Sequence, residues 1–170
     1  MKIFFIGMMG SGKTTLAKRL SELMNKSYVD LDNLIELKED MSIREIFSSY
    51  GEDYFRKIED IALRSIGNSE IIACGGGVII NKNNRKFLKE NGFTIYLKTS
   101  LPMLAERLKD RNRRPLLKNM NLYKTLCSIY HDRRKSYEDT ADLIIETDGK
   151  SLDRIVSIIQ EKFINEENHC

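Results

Sequence analysis

A chain of 170 residues, 41% hydrophobic and 31% charged, has the size and composition of one compact domain. The formal net charge of +3 is too small to indicate a nucleic-acid-binding protein, and no apolar run approaches the roughly 20 residues that span a bilayer. We therefore expect neither nucleic acid nor a membrane as a partner. Three cysteines, Cys74, Cys127 and Cys170, are odd in number and widely spaced, which predicts free thiols in a reducing cytoplasm.

The chain begins with an apolar, β-leaning run, KIFFI, followed by the glycine-rich stretch GMMGSGKTT (7–15). Such a start could belong to a signal peptide, but the glycine-rich loop occupies the place of its cleavage site, so we expect no leader. The stretch satisfies the pattern G-x-x-x-x-G-K-[ST], in which backbone amides and a helix N-terminus surround phosphates. Lys13 can reach the β- and γ-phosphates, and the Thr14 hydroxyl can bind Mg²⁺. With a strand before it and a helix after it, this loop predicts a nucleoside triphosphate site.

Strand-like runs recur along the chain, separated by helix-like segments: KIFFI (2–6), YVDL (28–31), EIIAC (70–74), FTIYL (93–97) and DLIIE (142–146). This alternation predicts βαβ units, and with the phosphate loop it predicts an α/β fold, a P-loop three-layer α/β/α sandwich around a five-stranded parallel sheet. Two regions interrupt the alternation. Residues 31–67 read as successive helices, and residues 109–121 form a basic stretch that contains a proline. We expect one domain over residues 1–170, with the first region a helical substrate-binding insertion and the second a mobile lid.

Two carboxylates follow the second predicted strand. Asp30 and Asp32 are two residues apart, so they lie on the same side of the pleat if the strand continues. The carboxyl ends of parallel strands line the ligand crevice of such sheets. One carboxylate could therefore lie near Mg²⁺ while the other accepts a hydroxyl proton. An alternative is that Asp32, which precedes NLIEL, caps a helix.

Three further features each allow a functional and a structural interpretation. FRKIED (55–60) places Arg56 and Glu59 three apart on a helix, as a surface ion pair or as an arginine oriented for a carboxylate ligand. CGGG (74–77) is a flexible turn or a loop whose amides approach a ligand. The stretch 107–118 has six cations and one acid. It is either a solvated basic loop or a segment that contacts a bound triphosphate.

Taken in order, GMMGSGKTT, VDLD, FRKIE, CGGG, RPLL and R-x-x-x-Y before ADLII resemble the shikimate kinase family over essentially the whole chain. The resemblance implies transfer of the γ-phosphate of ATP to the 3-hydroxyl of shikimate, a step in chorismate and aromatic amino acid biosynthesis. Mg²⁺ is the implied metal. We expect a cytoplasmic enzyme, with a monomer as the default state.

Two alternatives remain at this point. One is a related small-molecule kinase, acting on gluconate or on nucleoside monophosphates, which would lack the combined DLD, FRKIE and CGGG arrangement. The other is a non-catalytic nucleotide-binding regulator, which would need neither a base nor an arginine finger.

The resemblance also implies roles for individual residues. The catalytic residues would be Lys13, Asp32 as the proposed base, and Arg114 of the lid. The ATP-binding residues would be Gly10, Ser11, Gly12, Lys13, Thr14, Thr15, Arg107 and Arg114. The metal would be held by Thr14 and by Asp30, the latter through water. The shikimate-binding residues would be Asp32, Arg56, Gly76, Gly77 and Arg133, with Glu59 supporting Arg56.

One motif departs from the family pattern. The family commonly has R-x-P-L-Y around the second carboxylate-binding arginine, whereas this chain reads RRKSY (133–137). The spacing from arginine to tyrosine is kept, but the proline and leucine are absent. Arg133 and Arg134 are both candidates, and the spacing favours Arg133.

Overall fold

The computed structural model describes residues 1–109 and 122–167 of the chain. The expected lid, 109–121, and Arg114 within it therefore lie outside the described residues, apart from Lys109 at the end of a helix. Cys170 also lies outside them. No helix in the described part of the chain is long and apolar enough to cross a membrane.

Five parallel strands form one sheet in the order β2-β3-β1-β4-β5. The strands are β1 (Lys2–Ile6), β2 (Tyr28–Asp30), β3 (Ile71–Ala73), β4 (Gly92–Lys98) and β5 (Leu143–Glu146). Each agrees with the predicted run to within one residue at either end. The predicted parallel sheet is confirmed.

Helices cover both faces of the sheet. They are α1 (Lys13–Met24), α2 (Leu31–Glu39), α3 (Ile43–Arg64), α4 (Lys82–Asn91), α5 (Leu101–Lys109), α6 (Leu122–Thr140) and α7 (Leu152–Glu167). Alternate residues of β1 point to opposite faces: Phe4 and Ile6 join one buried cluster, and Ile3 and Phe5 join the other. The first cluster is completed by α2 to α6 and the second by α1 and α7. This is the expected three-layer sandwich, in which each fully buried aliphatic or aromatic side chain contributes about 1.5–3 kcal/mol.

The second strand is shorter than predicted, which changes the position of one carboxylate. β2 ends at Asp30, whose Oδ1 accepts hydrogen bonds from the N–H groups of Asp32, at 3.0 Å, and Asn33, at 3.2 Å. Asp30 is thus the N-cap of α2, since its side chain satisfies amides that the helix leaves unpaired. Asp32 lies in the first turn of that helix rather than on the strand. The expectation that both carboxylates share one side of a continuing strand was wrong, and so was the alternative that Asp32 is the cap.

Helices α2 and α3 occupy the region predicted to be a helical insertion. Ser42 and Glu45 cap the start of α3 reciprocally. The helix is interrupted at Gly51, where φ is 78° and ψ is 179°. Because this backbone conformation is essentially restricted to glycine, the helix restarts at Glu52 in a new direction.

Candidate active site

The loop between β1 and α1 forms the predicted phosphate cradle. Gly12 is the N-cap of α1, with φ of 95°. The Lys13 ammonium donates to the backbone carbonyls of Gly7 and Met8, each at 2.9 Å, and is folded against its own loop. The helix N-terminus, the loop amides and this cation together favour an anion at the carboxyl end of β1.

A cavity of about 380 Å³ opens beside this cradle. The residues that line it are Gly10, Ser11, Gly12, Lys13, Thr14, Thr15, Leu16, Leu97, Arg107, Thr147, Lys150, Leu152 and Ile155. Every described residue that was predicted to bind ATP is among them. Arg107 lies at the rim, where its Nη1 donates to the Gly10 carbonyl at 3.2 Å.

The part of this cavity that lies after β5 was not predicted. Thr147 and Lys150 follow that strand, and Leu152 and Ile155 belong to the start of α7. The hydroxyls of Thr147 and Thr99 form a buried hydrogen bond of 2.6 Å, which joins the carboxyl ends of β5 and β4. The rule that strand ends line the ligand crevice could have identified this segment, because TDGK directly follows a predicted strand.

Two oxygen ligands of the kind that Mg²⁺ prefers meet at the start of α1. The Thr14 hydroxyl donates to Asp30 Oδ2 at 2.6 Å, while the other oxygen of the same carboxylate caps α2. The helix cap therefore fixes the orientation of the carboxylate toward the phosphate loop. Within the described residues there is no group of three histidine, cysteine or acidic side chains that could hold a metal. Mg²⁺ in kinases is usually held by one or two protein oxygens together with phosphates and water, and this pair fits that pattern.

A second group of charged side chains surrounds the glycine loop 75–77, on the other side of the phosphate cradle. An ideal Cβ placed on Gly75 would lie 2.7 Å from Asp32 Oδ1 and 2.9 Å from Glu59 Oε1. A Cβ on Gly77 would overlap the guanidinium of Arg56. A side chain at either position would displace these charged groups, so the two glycines leave the space that the charged groups occupy.

Two carboxylates of α3 hold Arg56. Its Nη1 donates to Glu59 Oε2 at 2.8 Å, and its Nε and Nη2 donate to Glu52 Oε1 at 3.2 Å and 2.9 Å. Burial lowers the pKa of Arg56, but Glu59 and Glu52 outweigh that effect and the net pKa is raised. The arginine is therefore a fixed, permanently charged group beside the glycine loop.

Glu59 is the most buried charged group of this site. Its side chain is 1% exposed, and its Oε1 has no hydrogen-bond partner among the described residues. Burial raises the pKa of Glu59, and Asp32 raises it further, whereas Arg56 and Arg133 lower it; the net pKa is raised. The predicted ion pair of Arg56 and Glu59 is thus an interior pair and not a surface pair.

Arg133 and Tyr137 both reach the glycine loop from α6. Arg133 Nη1 donates to the Gly76 carbonyl at 3.1 Å, and the Tyr137 hydroxyl donates to the same oxygen. Burial raises the pKa of Tyr137 to about 12, so the hydroxyl keeps its proton near neutral pH. The ring of Tyr137 stacks on Tyr96 at a centroid distance of 5.0 Å. Because the two donors are four residues apart on one helix, the arginine-to-tyrosine spacing is what brings them to one carbonyl.

Arg134 points elsewhere. Its side chain is 56% exposed and pairs with Glu138 on the surface of α6, at 2.9 Å. Of the two candidate arginines, only Arg133 contacts the glycine loop within the described residues.

The glycine loop also touches the phosphate cradle. A Cβ on Gly76 would lie 3.3 Å from the backbone nitrogen of Met9 and 3.5 Å from the carbonyl oxygen of Gly7. The group formed by Asp32, Arg56, Glu59 and Arg133 therefore stands directly against the loop that would hold the phosphates. The arrangement can grip an organic anion and present another part of the same molecule to the phosphate site.

Comparison with known proteins identifies shikimate kinases as relatives of this chain. The shikimate kinase family model matches residues 9–163. A shikimate kinase of Geobacter sulfurreducens is 40% identical over 159 residues, which are 92% of this chain and 87% of that protein. The structure of a shikimate kinase from Acinetobacter baumannii in complex with shikimate superposes with a TM-score of 0.92 at 32% identity, covering 97% of this chain and 93% of that one. A gluconokinase from Sinorhizobium meliloti superposes with a TM-score of 0.57 at 19% identity, covering 92% and 87%, a likeness of fold alone.

Proposed function

The chain belongs to the shikimate kinase family, and we propose that the groups around its phosphate and glycine loops transfer the γ-phosphate of ATP to the 3-hydroxyl of shikimate. The products are shikimate 3-phosphate and ADP. The family confirms the expectation of a kinase that uses ATP. Membership in this family argues against the alternatives of a gluconate kinase, a nucleotide kinase and a non-catalytic regulator.

The observation that carries this proposal is the position of the two arginines. Arg56 from α3 and Arg133 from α6 approach the glycine loop, which itself lies against the phosphate cradle. Two guanidinium groups at one place suit a carboxylate, because each can donate parallel N–H bonds to its oxygens. A ligand gripped there has its remaining hydroxyls directed at the carboxylate of Asp32 and at the phosphate loop.

Asp32 is the group best placed to act on the acceptor hydroxyl. Its Oδ1 lies beside Gly75, close to Glu59, and its backbone is fixed by the cap of α2. It would accept a hydrogen bond from the 3-hydroxyl, orient the oxygen toward the γ-phosphorus and take its proton as the new bond forms. The adjacent Gly76 and Gly77 allow the acceptor ring to approach closely.

On the donor side, the phosphate loop would hold the triphosphate. Lys13 would exchange its carbonyl partners for the β- and γ-phosphate oxygens and neutralise charge there. Mg²⁺, held by Thr14 and by Asp30 through water, would supply charge neutralisation between the β- and γ-phosphates. The adenine of ATP would occupy the cavity beside Arg107, Thr147 and Lys150. Arg114, in the region expected to be a lid, would add a further positive charge at the transferring phosphate.

The proposal is tested by a coupled assay of ADP release from ATP and Mg²⁺. The purified protein is assayed alone and with shikimate, gluconate or a nucleoside monophosphate. We expect rapid ADP release only with shikimate, because the acceptor site carries a paired carboxylate grip. Equal release in the absence of acceptor, or with gluconate, would contradict the proposal. A monomeric state and a cytoplasmic location stay predictions from the sequence, which sedimentation and cell fractionation can test.

A further inference from the structure

Arg56 is held from two sides by carboxylates of its own helix, and the two sides differ. Glu59 is 1% exposed and contacts one terminal nitrogen of the guanidinium. Glu52 is 51% exposed, and a single oxygen of its carboxylate accepts from both Nε and Nη2. Arg56 itself is 17% exposed; its two bonds to Glu52 lie at the protein surface, and its bond to Glu59 is partly buried.

A count of the N–H donors of Arg56 shows how many remain for a ligand after the bonds to Glu52 and Glu59. A guanidinium has five N–H donors in a planar fork. Glu52 takes the Nε donor and one donor of Nη2, and Glu59 takes one donor of Nη1. Within the described residues, one N–H then remains on each terminal nitrogen. Two donors on neighbouring nitrogens match the two oxygens of a carboxylate.

The end of the guanidinium also faces the right way. Both terminal nitrogens lie within 2.5 Å of the point where a Cβ of Gly77 would stand, so this end of the guanidinium faces the glycine loop. Nε, the donor farthest from that end, is directed at Glu52. Glu52 therefore occupies the edge of Arg56 opposite to the end that faces the glycine loop.

The break in α3 places Glu52 for this contact. Gly51 has a conformation that only glycine adopts readily, and the helix restarts with Glu52. From there Glu52, Arg56 and Glu59 follow at spacings of four and three residues and lie along one stripe of the helix. Without Glu52, only the single bond to Glu59 would restrict the long side chain of Arg56 among these contacts.

From these contacts we propose that Glu52 is a positioning residue for the acceptor: it fixes the Nε–Nη2 edge of Arg56 so that the two terminal nitrogens receive the carboxylate of the substrate. The inference rests on the proposed function, because it takes shikimate as the acceptor. Glu52 makes no contact with the reacting groups in this scheme. Its contribution is to order the arginine before the anion binds, which reduces the entropy that binding would otherwise cost.

The test compares Glu52→Ala and Glu52→Gln with the wild-type protein by calorimetric titration with shikimate and by steady-state kinetics. Ordering one long side chain is worth about two- to tenfold in affinity. We expect Glu52→Ala to weaken shikimate binding by that factor and to raise KM, with kcat nearly unchanged. Glu52→Gln keeps an oxygen that can accept from Nε and Nη2, so it should recover part of the affinity.

A matched control exists on another helix. Glu138 pairs with Arg134 at the same i,i+4 spacing and the same 2.9 Å, but away from the glycine loop. Glu138→Ala should bind shikimate as the wild type does. The methyl ester of shikimate, which lacks the negative charge, should bind equally to the wild type and to Glu52→Ala, since the grip on a carboxylate is absent in both cases.

The outcomes separate the inference from the function on which it rests. Wild-type protein that binds ATP but neither binds nor phosphorylates shikimate would overturn the proposed function. Wild-type protein that uses shikimate, together with a Glu52→Ala variant of equal affinity, would overturn only the inference. Tighter binding by Glu52→Ala would also overturn it, because Glu52 would then compete with the substrate for Arg56. A parallel loss of ATP affinity in Glu52→Ala would count against it as well, since the effect would not be specific to the acceptor.

Discussion

Two arginines from different helices meet at the glycine loop, and each is a separate test of the acceptor site. Replacing Arg56 or Arg133 by alanine should weaken shikimate binding at least about 30-fold, because truncating one partner of a buried charge pair costs roughly 2–5 kcal/mol. The Kd for ATP should change little, since neither arginine lines the nucleotide cavity. Calorimetric titration with each substrate measures both.

Arg134→Ala is the control for this experiment. Arg134 neighbours Arg133 in sequence but pairs with Glu138 at the surface. It should bind shikimate with wild-type affinity. Normal affinity in Arg56→Ala and Arg133→Ala alike would mean that the acceptor site has been placed wrongly.

Glu59 should make the stability of the protein depend on pH. Its folded-state pKa is raised by burial, so the folded state holds the proton more tightly than the unfolded chain does. Wild-type stability therefore falls as pH rises from the ordinary glutamate pKa of 4.5 through the raised folded value, and the loss persists above that value. Glu59→Gln has no ionisation there. The free energy of unfolding of Glu59→Gln relative to wild type should therefore shift in favour of the variant across this window.

Urea denaturation of both proteins at a series of pH values measures the shift. Glu138→Gln, at a half-buried glutamate away from the glycine loop, serves as the control and should follow the wild-type profile. A difference between Glu59→Gln and wild type that stays constant with pH would show that Glu59 keeps its ordinary ionisation in the folded protein.

At the level of single side chains, the sequence predicted the residues that line the candidate site better than the residues that hold them in position. The phosphate-loop residues followed from one spacing pattern, and Arg133 followed from its distance to Tyr137. The pairing of Glu52 with Arg56 was missed, because an i,i+4 pair of this kind usually lies on a helix surface and has no further role. Thr147 and Lys150 were missed because the rule that strand ends line the ligand crevice was not applied to TDGK, which directly follows the last predicted strand.

Among the elements, α3 depends on a single backbone conformation. Gly51 has φ of 78° and ψ of 179°, and a Cβ there would meet nothing within 4 Å. Gly51→Ala should therefore destabilise the fold through backbone strain alone, by about 1–3 kcal/mol. It should also weaken shikimate binding, because Glu52 and Arg56 follow directly after the break. Thermal unfolding and calorimetric titration measure the two effects.

Gly67→Ala is a control that separates the effect of backbone strain on stability from the effect of the break in α3 on shikimate binding. Gly67 also has a positive φ, 59°, and open space around its Cα, but it lies beyond the end of α3. This variant should lose stability while it keeps wild-type affinity for shikimate. If Gly51→Ala also kept that affinity, the break in α3 would have no part in arranging the acceptor site.

The strands were predictable from sequence because they are short apolar runs bounded by polar or glycine-rich segments. The boundary between β2 and α2 was less predictable. A strand and a helix can both continue through VDLD, and the choice depends on which carboxylate turns back to cap the following amides. In the structure Asp30 does so, which places Asp32 in the first turn of the helix, with its carboxylate beside Gly75.

For the molecule as a whole, the remaining prediction concerns Arg114, which lies outside the described residues. If Arg114 stabilises the transferring phosphate, Arg114→Ala should lower kcat by a large factor and leave KM for shikimate nearly unchanged. Arginines in this role contribute ~10³–10⁵ in rate in other phosphoryl-transfer enzymes. Steady-state kinetics at saturating ATP measures the effect, and Arg113→Ala is the neighbouring control. Near-normal kcat in Arg114→Ala would remove this residue from the mechanism.

The overall architecture followed from the order of strands and helices, because parallel strands joined by right-handed crossovers leave few topologies. What the sequence could not supply was the convergence of distant segments. Asp32, Glu59, Gly76 and Arg133 belong to four different parts of the chain and meet only through the packing of α2, α3 and α6 on one face of the sheet.

The sheet order divides the molecule about its central strand. β1 carries the phosphate loop. The residues that surround the glycine loop stand on the β2 and β3 side or reach it from α6, and the cavity beside the phosphate loop lies on the β4 and β5 side. Recognition of the phosphoryl donor and recognition of the recipient are therefore largely modular. Substitutions within residues 31–67 that alter the surroundings of Arg56 should therefore change the affinity for shikimate and leave the affinity for ATP nearly unchanged.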